Sequence, residues 1–433
     1  MHEAGVKLDV VAGRGIGVVG ALFAAIDGAQ RLWDEKGFWR APGLRACYKW
    51  RFVVRLMAWA LAVSVTIVAL PILVMAAGLV VFPIDFVLRM IGAGGAAGLV
   101  GAYLRVVQDA FAPDAFPTWL PRLVLLVMAS AAAVAGVSAW LRAARRSHGP
   151  TWWRMVPAPL SAERAVTHCW HVLWELLRGA APLKQPAAGE LARRYAEMLA
   201  DNLGQPGFRE LVIIAHDLDA RRDLIFALVS EKRRRDLIRR PSSDAAEVRR
   251  AEVVDLSGVG RDYLADAVAG ALAVPIATEP QGLAFAPDAY WRGETHRLCD
   301  RPSALARLFD ELVDLDVEQI LLVSAAPEAP GPHALVAPRI DGRGRLGEYI
   351  QSSEAAAVRD ATRRDVPRVF TIRPSHNPVG PFDFAGSYDD RSKRLQPLEE
   401  LMSRGYEDAY HQFIEPIVGA SGERVGMKDR VIG

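Results

Sequence analysis

The alternation of apolar and polar residues divides the chain into three parts. The first fifty residues open on a short apolar run, Leu8 to Ala12, which meets a glycine cluster and continues into the Ala-rich segment "VVGALFAAI". That order reads as strand, tight turn and helix. The aromatic-rich stretch "LWDEKGFWRAPGL" follows, and the whole piece is too short to bury a core by itself. The second part, about 51–146, is dominated by apolar residues. Leu56 to Ile84 runs 29 residues without a charge, and Leu123 to Leu141 runs 19. As helices these would extend about 43 Å and about 28 Å, against a hydrocarbon core of ~30 Å. Pro71 lies inside the first run and leaves room for a bend. Between the runs, Met90 to Leu104 is apolar but Gly-rich and only 15 residues long, which suits an interfacial or re-entrant piece.

The third part, 147–433, alternates helical and strand-like patterns. "SAERAVTHCWHVLWELLRG" is an amphipathic helix suited to an interface, and Glu190 to Leu203 is a second helix. "RELVIIAHDLD", "AEVVDLSG", "VEQILLVSAAP" and "VPRVFTIRP" are strand-like, while "RDYLADAVAGALAVP" and "LEELMSRGYEDAYHQFIEPIV" are helical. Such alternation predicts an α/β fold with a largely parallel sheet. Because both flanks of the apolar part read as one side of a membrane, the hairpin is expected to interrupt a single α/β domain.

Charge sets that topology. Arg40, Arg45, Lys49, Arg51 and Arg55 precede the first apolar run, and Arg142, Arg145, Arg146 and Arg154 follow the second. The charges between the runs balance, so the positive-inside rule places both flanks in the cytoplasm. Ten of the eleven tryptophans lie between Trp33 and Trp174, where an aromatic belt would put them. Overall composition agrees with a membrane protein: 51% hydrophobic residues and a mean hydropathy of +0.12. A formal net charge of +2 argues against a nucleic-acid binder. Three widely spaced cysteines, Cys47, Cys169 and Cys299, fit a reducing compartment and give neither a disulfide framework nor a zinc site. The first ten residues lack the basic and apolar regions of a signal peptide.

Two chemistries compete for the glycine turn. Gly15, Gly17 and Gly20 spell G-x-G-x-x-G, the dinucleotide fingerprint, which needs a second strand ending in an acid about 20 residues on. Asp34 and Glu35 stand at that distance, but no apolar strand precedes them and the membrane part comes next. Gly13, Gly15 and Gly17 also spell G-x-G-x-G, the spacing of a hydrolase nucleophile elbow with glycine where the serine stands.

Around that turn, "AGVKLDVVAGRGIGVVGALFAAI" resembles the patatin-like phospholipase family, whose turn follows the pattern "vDvvaGTSaGA", with Gly15 in the serine's place. Further segments are similar in the family's order. They are "RELVIIAHDLDARRDLIFALV", "LADAVAGALAVPIA" with Ala269, Gly270 and Pro275 in matching places, "DRPSALARLFDELVDLDVEQILLVSAA", "VFTIRPSHNPVGPFDF" and "LEELMSRGYEDAYHQF". The similarity covers roughly 4–30 and 205–415. It implies a three-layer α/β domain, membrane lipids as partners, no cofactor, no metal and no nucleic acid. By the same resemblance the activity is hydrolysis of lipid acyl esters at the cytoplasmic membrane face through a Ser–Asp dyad.

The chain departs from the family at the dyad. Gly15 cannot attack a carbonyl, so the ordinary mechanism is not expected to operate. The catalytic catalogue is therefore a position, Gly15 in the turn Gly13–Gly15–Gly17, and three candidate acids: Glu294, Asp300 and Asp341. Arg292-Gly293 falls near the family's Asp-Gly, with Glu294 and Asp300 beside it. Asp341-Gly342 is an Asp-Gly pair out of order, equally a polar turn. The family's Gly-rich oxyanion loop lies upstream of the elbow, and a late start relative to the natural gene is the expectation. A pseudoenzyme that binds lipid or acts as a scaffold is the alternative to a hydrolase.

Three smaller signals carry weak hints. "EKRRRDLIRR", Glu231 to Arg240, is a solvated basic helix face or a contact for anionic headgroups. His168 and His171 lack further ligands for a metal. His216, Asp217 and Asp219 follow a strand end, where α/β folds place ligand loops, and read equally as a turn with charge-paired arginines.

Overall fold

The computed structural model describes residues 6–92, 98–112, 116–142, 158–238, 249–327, 342–363, 368–374, 377, 387–389 and 394–418. The chain divides into two compact units, one formed by Met1–Lys49 with Leu160–Gly433 and the other by Trp50–Pro159.

The first unit is built on a six-stranded sheet. Its strands are β1 (Val10–Gly13), β2 (Glu210–Asp217), β3 (Arg222–Leu228), β4 (Val253–Asp255), β5 (Gln281–Ala284) and β6 (Thr295–Cys299). The order is β4-β3-β2-β6-β5, with β1 also on β2. Where the alternating pattern predicts a largely parallel sheet, the sheet is mixed. β1 runs parallel to β2 and β4 parallel to β3, while β3 and β6 run antiparallel to β2 and β5 antiparallel to β6. The turn at Leu218–Arg221 makes β2 and β3 a hairpin, a local connection that periodicity alone does not distinguish from a crossover. Two further strands, β7 (Gln319–Val323) and β8 (Arg368–Ile372), pair parallel with each other, and Ser387–Asp389 pairs with Arg394–Gln396.

Both faces of β2 are buried, which is why "LVIIA" lacks alternation. Leu211, Ile213 and Ala215 point to one core with Leu224, Phe226 and Leu228 of β3. That core is closed by α1 (Gly17–Ala25), α5 (Glu163–Arg178), α6 (Ala188–Asn202) and α8 (Leu264–Leu272). Val212, Ile214, Ile225 and Ala227 point to the opposite core, under Leu237 of α7 (Glu231–Ile238) and Leu308 of α9 (Ala304–Asp314). The unit is thus a sheet with helices on both faces. Helix α5, read from sequence as interfacial, instead packs its apolar stripe into this core: His168, Cys169, Trp170 and Leu173 are buried. Its amphipathicity is that of any surface helix on a sheet.

The second unit holds α2 (Phe52–Met90), α3 (Leu99–Ala110) and α4 (Phe116–Arg142). Two of its helical stretches, Phe52–Met90 and Pro121–Ser138, are long and apolar enough to cross a membrane, and their side chains are almost entirely uncovered. Pro71 and Pro83 are carried inside α2 without ending it. The piece between the apolar runs is a helix of 12 residues, about 18 Å, too short for a third span. It folds back along α2: the Tyr103 hydroxyl donates to the Val74 carbonyl (3.0 Å) and lies 3.2 Å from the Met75 carbonyl.

Candidate functional site

The sheet explains why the glycine turn has a neighbour. Strand β3 occupies one whole edge of β2, so β1 and β6 share the other. β1 pairs with Glu210–Ile213 and β6 with His216 and Asp217. β1 runs with β2 and β6 against it, so the two strands meet C-terminus to C-terminus. The residues just past their ends, Arg14-Gly15 after β1 and Asp300 after β6, are brought face to face.

The turn between β1 and α1 is as tight as its glycines suggest. Arg14, Gly15 and Ile16 carbonyls accept from the amides of Gly17 (3.0 Å), Val18 (3.2 Å) and Val19 (3.1 Å). Gly15 has φ +52°, the left-handed region. A Cβ at Gly13 would lie 2.8 Å from Val18 Cα and 2.9 Å from the Gly17 carbonyl oxygen, so strand and helix approach too closely for a side chain there. Gly13→Ala is expected to cost about 1–3 kcal/mol, the range of an overpacked core, and to lower the melting temperature of the chain in detergent. A Cβ at Gly17 would meet nothing within 4 Å, so that glycine has no such constraint.

At Gly15 the missing side chain points at an acid. A Cβ built there would lie 2.9 Å from Asp300 Oδ2 and 3.3 Å from its Cγ. Of the two candidate acids among the described residues, Asp300 is the one set against the elbow. Glu294 sits on the turn leading into β6, with its side chain 66% exposed and its carboxylate on His296 Nε2 at 3.2 Å. Asp341 lies outside the described residues.

Asp300 is engaged by a residue the sequence reading did not single out. Arg14 Nη1 donates to both Asp300 carboxylate oxygens at 2.8 Å, and its Nη2 donates to Glu354 of α10 (Gly342–Thr362). All three side chains are largely withdrawn from water. Burial, then the nearby Glu354, outweigh Arg14 and hold the Asp300 carboxyl above the usual carboxylate range. For Arg14, burial opposes the charge, but Asp300 and Glu354 together hold it above the ordinary arginine value. The signal for this arrangement lay in the turn itself, since an arginine between two glycines of a buried elbow requires a buried acid.

Among the described residues, neither the three cysteines nor Tyr48 is an activated nucleophile. Burial pushes the thiols of Cys47 and Cys299 up to about 11 and that of Cys169 up to about 12, so they are protonated at neutral pH. The Tyr48 hydroxyl, raised mainly by burial, donates to the Leu272 carbonyl at 2.8 Å.

The other hinted residues make contacts within the fold. His168 Nε2 is 2.9 Å from the Phe38 carbonyl and His171 Nδ1 is 3.1 Å from Gln185 Oε1. No group of three metal-ligating side chains gathers among the described residues. His216 pairs with Asp223 (2.8 Å), and Asp217 accepts from the Asp219 and Ala220 amides while contacting His296 Nδ1 at 2.5 Å. Asp219 pairs with Arg297 (2.6 Å), a turn held by a charge-paired arginine. In the basic run, Arg233 pairs with Glu210 and Arg235 with Glu231, both at 3.0 Å, and Arg234 donates to Ser257 at 2.8 Å. Asp34 lies after α1 on no strand, with its carboxylate 3.8 Å from Arg31, and so cannot serve a dinucleotide ribose at the elbow. No protein family, curated protein or solved structure matches the chain.

Proposed function

We propose that this chain is a membrane-anchored, patatin-like protein that has given up acyl-ester hydrolysis and serves as a lipid-surface-binding scaffold. The observation that carries this reading is the content of the elbow. The nucleophile's place is empty at Gly15, and the acid that would activate it is tied to Arg14. A neutral serine hydroxyl needs a free base beside it; here there is neither hydroxyl nor free base. The similar segment order and the helices on both faces of the sheet support patatin-like ancestry.

The membrane part of the proposal rests on α2 and α4, and the arginine-rich flanks support a cytoplasmic α/β unit. Hydrogen bonds link Asp300 of the elbow to the end of the first segment of its own unit. The Asp300 amide donates to the Ala273 carbonyl (2.7 Å), and Tyr48, one residue before the end of the first segment, holds the adjacent Leu272 carbonyl.

The test uses the full chain in phospholipid nanodiscs. A serine-directed fluorophosphonate is expected to label nothing, and a fluorogenic acyl ester is expected to turn over at the buffer rate. A photoactivatable phospholipid is expected to cross-link to peptides from 264–280. Labelling of one serine, with turnover lost in Asp300→Asn, would establish a hydrolase. Absence of the lipid cross-link would refute lipid-surface binding.

A further inference from the structure

Asp217 and Glu294, two acids that the elbow does not use, meet at one histidine. His296 stands on β6 with its side chain only 5% exposed, and Asp217 ends β2 fully buried. Asp217 Oδ2 accepts from His296 Nδ1 at 2.5 Å, while its Oδ1 accepts from the amides of Asp219 (2.9 Å) and Ala220 (3.0 Å). A carboxylate engaged in this way only accepts, so it keeps the proton on Nδ1 and turns Nε2 outward.

Nε2 faces the second carboxylate. Glu294 precedes His296 by two residues, which puts both on one side of the chain where β6 begins, and its exposed carboxylate brings Oε2 to 3.2 Å from Nε2. A hydrogen bond between imidazolium and carboxylate is charge-assisted and closes to about 2.7–2.9 Å, shorter than this. The gap is instead that of two ligands on one ion. Bonds of about 2.0–2.1 Å to nitrogen and about 2.0–2.2 Å to oxygen set this separation opposite an angle of about 100°, near the tetrahedral value.

The surroundings are rigid and negative. The His296 ring lies edge-on to Phe285, with centroids 5.1 Å apart, and to Trp291, at 4.5 Å. The hairpin carrying Glu294 is tied by the Phe285 amide on the Glu294 carbonyl and the Glu294 amide on the Trp291 carbonyl, both 2.9 Å. The arginines beside the site are engaged elsewhere. Arg297 pairs with Asp219 (2.6 Å), and Arg222, with its guanidinium 5.8 Å from the Trp291 ring centroid, faces Glu252 (3.9 Å).

We propose that His296 Nε2 and Glu294 bind a divalent ion of the zinc type, with Asp217 as the outer carboxylate that orients the imidazole. Imidazole and carboxylate together suit zinc and its first-row neighbours, whereas calcium and magnesium take oxygen ligands. Metal-ligating histidines nearly always donate their other ring N–H to a partner such as Asp217. The ion takes the place of the proton between Nε2 and Oε2, so the protonated pair releases that proton on binding. With two protein ligands, the remaining positions fall to water, and the ion is exchangeable and open to an anionic ligand. The inference is independent of the membrane reading and of whether the elbow hydrolyses anything.

The test uses the full chain in detergent, stripped with a chelator, then titrated with zinc by calorimetry and with cobalt by visible absorption. Zinc is expected to bind with release of about one proton, read from buffers of different ionisation enthalpy. His296→Gln is expected to abolish this binding. Asp217→Asn is expected to weaken it by about 10–100-fold, and Glu294→Gln by at least as much. Zinc is expected to raise the melting temperature of wild type and not that of Glu294→Gln. X-ray absorption at the zinc edge is expected to show nitrogen and oxygen at about 2.0–2.2 Å and no sulfur.

No binding to wild type, or equal binding by wild type, His296→Gln and Glu294→Gln, would overturn the proposal and leave an imidazole bridging two carboxylates. Sulfur around the zinc would place the ion on a cysteine and overturn it too. Glu294→Gln alters only an exposed side chain, so it keeps the test decisive should Asp217→Asn fail to fold.

Discussion

Arg14→Ala is expected to destabilise the chain by about 3–5 kcal/mol at neutral pH, the cost of removing one partner from a buried ion pair. The variant leaves Asp300 and Glu354 facing each other with no cation between them. Their mutual repulsion, added to burial, raises the Asp300 carboxyl beyond its already elevated position. A carboxyl raised in the folded state contributes stability that is complete below its unfolded pKa and is lost as pH rises through the folded one. The penalty of Arg14→Ala therefore shrinks on acidification and grows towards neutrality. Thermal melts of detergent-solubilised wild type and variant at several pH values between 4 and 8 (about the range in which a raised carboxyl titrates) measure it directly. Arg14→Ala/Asp300→Ala is expected to be more stable than Arg14→Ala, because it removes the uncompensated charge as well. A penalty independent of pH would mean that Arg14 acts through packing alone.

The second large effect is a gain of reactivity. Gly15→Ser alone is expected to stay unlabelled by a fluorophosphonate, because its Cβ would lie 2.9 Å from an Asp300 oxygen that Arg14 holds in place. Serine at φ +52° also carries strain of roughly 1–2 kcal/mol. Arg14→Thr/Gly15→Ser places threonine and serine as the similar family has them and frees Asp300 to turn away and accept the serine proton. This double variant is expected to be labelled. Adding Asp300→Asn is expected to slow labelling by about 10²–10⁴-fold, the usual contribution of a general base. Labelling of Gly15→Ser as fast as the double variant would show that Arg14 does not lock the site.

Strong, local signals made most of this legible in the sequence. The uncharged runs at Leu56–Ile84 and Leu123–Leu141 correspond to the two long apolar helices, since twenty apolar residues have few other uses. The strand–turn–helix at Val10–Ala25 could be read because glycines at 13 and 15 answer a steric demand that a sequence displays. Strand direction could not. β3 follows β2 through a short hairpin, whereas β1 meets β2 across the whole apolar insertion, and periodicity is blind to both. Asp300 was among three acids that spacing alone could not rank. Its place depends on β1 and β6 sharing an edge of β2, a long-range pairing. Arg14 carries no motif of its own, and its role depends on Asp300 and Glu354, which lie 286 and 340 residues away in sequence.

The shared edge of β2 also sets a timetable for biosynthesis. β1 is complete at Gly13, but its first partner, Glu210, follows 197 residues later. At the ribosome's pace of about 5–20 residues per second, β1 and α1 wait on the order of 10–40 s, with their apolar faces uncovered by β2, while the apolar helices are made. The segment Val10–Ala25 therefore needs its apolar faces shielded until β2 has been made. Slowing synthesis between 30 and 210 is expected to deplete the folded protein more than slowing it anywhere downstream.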